Sequence, residues 1–321
     1  MKVCIVGAGA IGGTIAGAFA NAGEAVTLVA RGAHLDAIRR DGLTVRWLGT
    51  TPRNYKLAAT DRPESVEPQD VVIIALKAYA IGAMLPRLRG MLHDQTAMVT
   101  AINGIPWWYF ARHGGPRDGM RIDCLDPDGA MLDAFDPKHL IGGVIHTAAE
   151  VIAPGVVLHT SGAMHLIGEL DGSITPRLRR ICEAIEAGGL KAQASAVIRN
   201  DIWMKLIGNL SYNPIAALTL ARMDSINGNP ALVRMIRTIM EEAMRVAESY
   251  GQPIAMSIEQ RIELARAIGA SKVSMHQDIE KGRPMEIDAI SGVTVELARK
   301  AGIATPMIEA VHALLSERAQ H

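Results

Sequence analysis

The chain has 321 residues, 49% hydrophobic and 21% charged, with 33 basic against 33 acidic side chains and a formal net charge of +0. This is the composition of an ordinary globular protein long enough for two domains, and it excludes a disordered chain. Balanced charge offers no global field to nucleic acid or anionic lipid, so neither nucleic acid nor a membrane is an expected partner.

The strand and helix signals begin at once. Residues 3–6 read as a buried strand, 11–22 as a helix and 25–29 as a second strand. Lys2 and the small apolar stretch to Ala18-Phe19-Ala20 have the outline of a signal peptide, but glycines at 7, 9, 12, 13 and 17 break it. Residues 71–76 and 97–102 are two more continuous apolar runs, the pattern of a parallel sheet covered on both faces. Residues 140–150, 155–160 and 164–167 read as strands separated by turns at Pro154-Gly155 and Ser161-Gly162, completing the sheet as an antiparallel edge. Helical patterns then dominate, over 176–187, 196–221, 230–250, 254–268 and 286–301, with a last helix from about Pro306. Pro230 and Pro306 suit a first helical turn, where no backbone donor is lost.

The expected fold is therefore α/β: an N-terminal Rossmann-type doubly wound sheet followed by an all-α C-terminal domain. The division falls between residues 168 and 178, giving domains 1–172 and 173–321. No repeat or low-complexity linker separates them, so close packing is expected. No other stretch has the roughly 18 uninterrupted apolar residues of a membrane span. Cys4, Cys124 and Cys182 lie far apart without a CxxC pair, which argues against a disulfide framework or zinc site and fits a soluble protein of the reducing cytoplasm.

Gly7-Ala8-Gly9-Ala10-Ile11-Gly12 is a GxGxxG that follows a strand and opens a helix. In that register Gly7 permits the tight turn, Gly9 lets amides approach a pyrophosphate, and Gly12 lets the helix pack on the strand. The alternative is a glycine-rich turn without a ligand. At the end of the second strand, where NAD enzymes place an acid, the chain reads Ala30-Arg31-Gly32. A permanently charged, forked Arg31 suits the 2′-phosphate of NADP, unless it is a plain surface arginine. Lys77, just past the 71–76 strand, lies on the rim where open α/β sheets bind ligands. Together they favour NADP over NAD.

Lys205, Asn209 and Asn213 stand at i, i+4 and i+8, within about 80° of one helix face, with Trp203, Leu206, Ile207 and Leu210 on the other side. A solvated polar stripe is the competing reading, although asparagines inside a helix are poor formers. Pro214 is expected to end or kink the helix just beyond them. Asn103-Gly104 follows a strand on the same rim as the glycine loop, either as a site residue or as a simple turn. The ten histidines, His146, His159 and His165 among them, show no spacing that assembles a metal site or a catalytic triad.

Ile105-Pro106-Trp107-Trp108-Tyr109-Phe110 comes next. These rings either anchor a long loop or line a pocket selecting a bulkier or aromatic substrate. Residues 112–136, rich in Gly, Asp and Pro, read as an extended loop over the site.

In sum the residues resemble the ketopantoate reductase (2-dehydropantoate 2-reductase) family over essentially the whole chain. The resemblance rests on the glycine motif, Arg31, Leu76-Lys77-Ala78, Asn103-Gly104, the Lys205–Asn209–Asn213-Pro214 stretch, Ser274-Met275 with Gln277-Asp278, and Glu286-Ile287-Asp288. It implies reduction of a branched 2-keto acid with NADPH, in pantothenate and coenzyme A biosynthesis, in a cleft between a Rossmann and a helical domain. Carried onto this chain, Lys205 would be the general acid and Glu286 would orient it. Asn209 and Asn213 would hold the substrate's distal hydroxyl, Ser274 its carboxylate, and Asn103 would hold substrate beside the nicotinamide. Without the resemblance, Ser274 reads equally as a helix-surface serine and Glu286 as a first-turn acid. Rival readings are a β-hydroxyacid dehydrogenase, which shares a Lys-xxx-Asn pair, and a non-catalytic NADPH-binding regulator. A homodimer through the helical half is expected.

Overall fold

In the structure, a computed structural model, residues 1–320 are described. They form two compact units. The first comprises Met1–Ile102, Phe110–Met120 and Ala130–Ile198. Its elements are β1 (Lys2–Val6), α1 (Ala10–Asn21), β2 (Ala25–Val29), α2 (Gly32–Asp41), β3 (Leu43–Arg46), β4 (Arg53–Tyr55), β5 (Ala58–Thr60), β6 (Val71–Ile74), α3 (Ile81–Met84), β7 (Ala97–Ala101), β8 (Leu140–Ala153), β9 (Val156–Glu169), α4 (Pro176–Ala187) and β10 (Lys191–Ala194).

The strands form one sheet in the order β4-β3-β9-β8-β7-β6-β1-β2-β5, with β10 added beside β9. β1 lies between β2 and β6 and runs parallel to both, with Val3 opposite both Val26 and Val71. Such a strand is covered on both faces, which explains why Val71-Val72-Ile73-Ile74 is apolar without alternation and buried throughout. Ile15 and Phe19 of α1 and Leu178, Ile181 and Ile185 of α4 belong to the same core.

The region after residue 139 departs from expectation. It holds two 14-residue strands, β8 and β9, in place of three short ones. Ser161 pairs with Ala148 inside the ladder, beside register shifts, so Ser161-Gly162 sits at an irregularity within a strand and makes no turn. Nor does this hairpin form an edge. β8 runs parallel to β7, and β9 runs parallel to β3 and β10, so the hairpin lies within the sheet. Strands β3, β4, β5 and β10 have 3 or 4 residues each, too short for a periodic signal.

The second unit gathers Asn103–Tyr109, Arg121–Gly129 and the chain from Arg199 onward. It contains most of α5 (Ile198–Thr219), then α6 (Met223–Gly228), α7 (Pro230–Ser249), α8 (Ile258–Ala267), α9 (Ser274–Glu280), a π-helical turn at Asp288–Gly292 that runs into α10 (Val293–Ala301), and α11 (Pro306–Arg318). Asn229 caps α7 by accepting from the Ala231 and Leu232 amides, with Pro230 in the first turn. Ser257 and Gln260 form a capping box on α8. Buried Glu242 of α7 accepts from the Met307 and Ile308 amides, so an acid of one helix satisfies the first turn of α11. Pro214 does not end α5, which continues to Thr219. The segment 211–217 is buried throughout, and that burial outweighs the one backbone bond proline removes. Among the described residues no helix is long and apolar enough to cross a membrane.

Candidate active site

The glycine turn joins β1 to α1. Gly7 has φ +104°, and its amide and that of Ala8 both donate to the Val29 carbonyl, at 3.0 and 3.2 Å. A side chain at Gly12 would meet the Gly7 carbonyl oxygen at 1.9 Å, so the helix starts tight against the turn only because position 12 has none. Gly9, by contrast, faces open space: a Cβ there would meet nothing within 4 Å. It stands at the N-cap of α1 with no side-chain cap. A helix start with open amides and a cleared approach is a cradle for a phosphate group, and the residues present fit a dinucleotide pyrophosphate.

Arg31 occupies the N-cap of α2 immediately after β2, exposed to solvent. Lys77 is half-buried just past β6, at the start of a 3-10 turn over Ala78–Ala80. Three residues beyond Arg31, His34 reaches back to the glycine turn, with Nε2 2.8 Å from the Ala8 carbonyl oxygen. No motif or spacing had pointed to this histidine.

In the helical unit, Lys205 Nζ donates to Asn103 Oδ1 at 2.9 Å, and Asn103 Nδ2 donates to Glu286 Oε2 at 3.2 Å. Asn103 thus links the ammonium to the carboxylate. Its position is fixed by its neighbour: Gly104, at φ +79°, brings its backbone so close to Ala289 that a Cβ would lie 1.9 Å from the Ala289 oxygen. The Ile105 amide donates to that same oxygen at 3.0 Å. Ala289 lies in the π-helical turn, three residues after Glu286, so one backbone contact seats both Asn103 and Glu286. π-Turns often mark functional segments.

Burial pushes the Lys205 ammonium down from 10.5 to about 8, and the Glu286 charge partly opposes that shift. An amine so placed keeps its proton near neutrality yet releases it far more readily than a surface lysine. Asn213, buried one helical turn beyond Asn209, lies 3.5 Å from the exposed Ser274 hydroxyl at the start of α9. Asn209, half-buried, lies on α5 between Lys205 and Asn213. Lys205, Asn103 and Glu286 are therefore brought together, and Asn213 with Ser274; the link between Asn103 and Glu286 could not be read from sequence, being 183 residues apart.

The aromatic run proves to be an anchor. Trp107, Trp108, Tyr109 and Phe110 are each no more than 3% exposed. Trp203 of α5 donates its indole hydrogen to the Tyr109 hydroxyl at 2.9 Å, and Arg199 stands over the Tyr109 ring while bonding its backbone carbonyl. The rings thus tie the segment after Asn103 to the helix that carries Lys205.

The family model described as Ketopantoate reductase PanE/ApbA matches residues 3–118, and that described as Ketopantoate reductase PanE/ApbA C terminal matches residues 197–319. A 2-dehydropantoate 2-reductase from Mesorhizobium japonicum is 42% identical over 316 residues, covering 98% of this chain and 97% of that protein. The chain belongs to the ketopantoate reductase family. A solved structure from Ralstonia solanacearum MolK2, assigned as a ketopantoate reductase, superposes with TM-score 0.93 at 36% identity, over 99% of this chain and 97% of the other. A PanE/ApbA family ketopantoate reductase from Ralstonia eutropha JMP134 gives TM-score 0.85 at 25% identity over 100% of both chains. The protein is accordingly an oxidoreductase, with the Rossmann-type sheet and helical C-terminal part that its relatives share.

Proposed function

We propose that this reductase converts 2-dehydropantoate (ketopantoate) to pantoate with NADPH, acting in the cytoplasm. The observation that carries the reading is the chain of contacts from Lys205 through Asn103 to Glu286. Gly7 through Gly12 cradle the pyrophosphate, Arg31 takes the 2′-phosphate as a charge-assisted fork, and Lys77 lies on the same rim. When bound, the reduced nicotinamide supplies the hydride.

As the hydride reaches carbon 2 of the keto acid, the C=O π electrons move to oxygen. Lys205 Nζ gives that oxygen a hydrogen bond and then its proton, leaving a neutral amine and a 2-hydroxy acid. Glu286 favours reprotonation of the amine from solvent, since its charge raises the Lys205 pKa. Asn103 holds both groups in one geometry and contacts the substrate or nicotinamide amide. Asn209 and Asn213 orient the distal hydroxyl, and Ser274 accepts the carboxylate end.

The test is NADPH oxidation with ketopantoate beside a panel of branched, straight and aromatic 2-keto acids. Ketopantoate is expected to give the highest kcat/KM. Preference for an aromatic 2-keto acid would replace this substrate, and no turnover with any 2-keto acid would refute the reading. A homodimer through the helical half belongs to the same proposal: Leu264 and Ile268 in and after α8 and Leu314 of α11 are exposed apolar side chains. Sedimentation at micromolar concentration decides it.

A further inference from the structure

The glycine turn has a support that none of its own residues provides. His34 lies in the first turn of α2, half-buried, with Nε2 2.8 Å from the Ala8 carbonyl oxygen and Nδ1 3.0 Å from the Gly155 amide. A backbone amide can only donate, so Nδ1 accepts and Nε2 carries the hydrogen given to Ala8. The ring is thus neutral with a single allowed tautomer. Burial holds it below its ordinary range, in keeping with that state.

Gly155 is the tip of the β8–β9 hairpin. It is itself held, since its carbonyl accepts from the Thr44 amide of β3 at 2.8 Å. The histidine therefore ties the cofactor turn to a fixed point on the sheet. The consequence lies in the peptide plane. In a trans peptide the C=O and N–H point in opposite directions, and no described peptide is cis. Ala8 carbonyl and Gly9 amide belong to one plane. Pinning the carbonyl toward His34 turns the Gly9 amide the opposite way, and that amide has no backbone partner among the described residues; a side chain at Gly9 would also meet nothing within 4 Å.

We propose that His34 is a positioning residue for the dinucleotide: it fixes the Ala8–Gly9 peptide so that the Gly9 amide is aimed at the pyrophosphate. This rests on the cofactor reading above and names a residue outside the glycine motif as part of its affinity. The residue acts through backbone and touches no reacting atom.

The experiment compares His34→Leu and His34→Gln with the unaltered reductase by NADPH fluorescence titration, with KM for NADPH and for the keto acid alongside. The Gln amide can donate to Ala8 and accept from Gly155; Leu can do neither. His34→Leu is expected to weaken NADPH about tenfold, the scale of one lost hydrogen bond, and to raise KM for NADPH while KM for the keto acid stays in place. His34→Gln is expected within about threefold of the parent. NADPH binding by the Leu variant equal to the parent's, or equal losses in both variants, overturns the proposal. Hydrogen exchange at the Gly155 amide gives a reading independent of cofactor: faster in Leu, parent-like in Gln. If the parent itself fails to bind NADPH, the cofactor reading falls, and unchanged Gly155 exchange in the Leu variant still overturns the tie.

Discussion

Lys205 donates its ammonium hydrogen to the side-chain oxygen of Asn103 across 2.9 Å, joining residues 102 positions apart. Asn103 passes its own amide hydrogen to Glu286, so one neutral side chain bridges the ammonium and the carboxylate. Burial makes the Lys205 ammonium more acidic than a surface lysine, and the Glu286 charge opposes part of that shift.

Replacing Lys205 by alanine is expected to lower kcat for ketopantoate reduction by about 10²- to 10⁴-fold, the usual worth of a positioned acid. NADPH affinity should stay close to the parent value. Rapid-mixing kinetics and NADPH titration check both halves. Unaltered turnover would remove Lys205 from the mechanism.

Asn103→Ala leaves the ammonium and the carboxylate without their shared partner. Its cost in the transition state is expected at about 1–3 kcal/mol, or roughly 5- to 150-fold in kcat/KM. Steady-state kinetics at saturating NADPH measure it, and a change under twofold would mean the contact is idle.

At Gly104, an alanine would combine a φ of +79° with a Cβ 1.9 Å from the Ala289 oxygen. The expected loss is at least about 1–3 kcal/mol of stability, read as a lower urea midpoint, together with reduced turnover. Gly114→Ala is the control: φ is +74° there, but the space is open, so the loss should be smaller.

Arg31→Ala tests the cofactor choice. Loss of a charge-assisted fork is expected to raise KM for NADPH by about 10- to 100-fold while KM for NADH changes little. Parallel kinetics with the two cofactors decide it, and equal effects on both would mean that Arg31 does not read the phosphate.

How much of this was legible follows from the range of each interaction. β1, the glycine turn, α1 and β2 announce themselves because they are local: an apolar run, fixed glycine positions and a helix start within residues 2–29. The polar stripe of α5 is likewise local, since Lys205, Asn209 and Asn213 recur at helical spacing. What sequence could not supply is the pairing of distant groups. Asn103 meets Glu286 only because Gly104 lets two backbones touch, and nothing in either segment encodes the other. The length of β8 and β9 was hidden for a related reason. Ser161-Gly162 carries turn chemistry, yet the ladder absorbs it as an irregularity because both flanks are paired. Pro214 does not end α5, with burial around it overriding that part of its local preference. The aromatic run allowed two readings until Tyr109 was seen bonded to Trp203.

Lys205, tuned by burial and by Glu286, is the proposed proton donor. Its folded pKa is lowered to about 8, so the acid form prevails below that pH and is lost as pH rises through it. The decisive measurement is the pH dependence of kcat/KM for ketopantoate reduction in the parent and in Glu286→Gln. The parent is expected to lose activity with an apparent pKa of about 8. Removing the Glu286 charge removes the interaction that raises the Lys205 pKa, so in Glu286→Gln the same limb should move to lower pH. A parent profile flat through that range, or a limb that stays in place or moves upward in Glu286→Gln, would contradict the account.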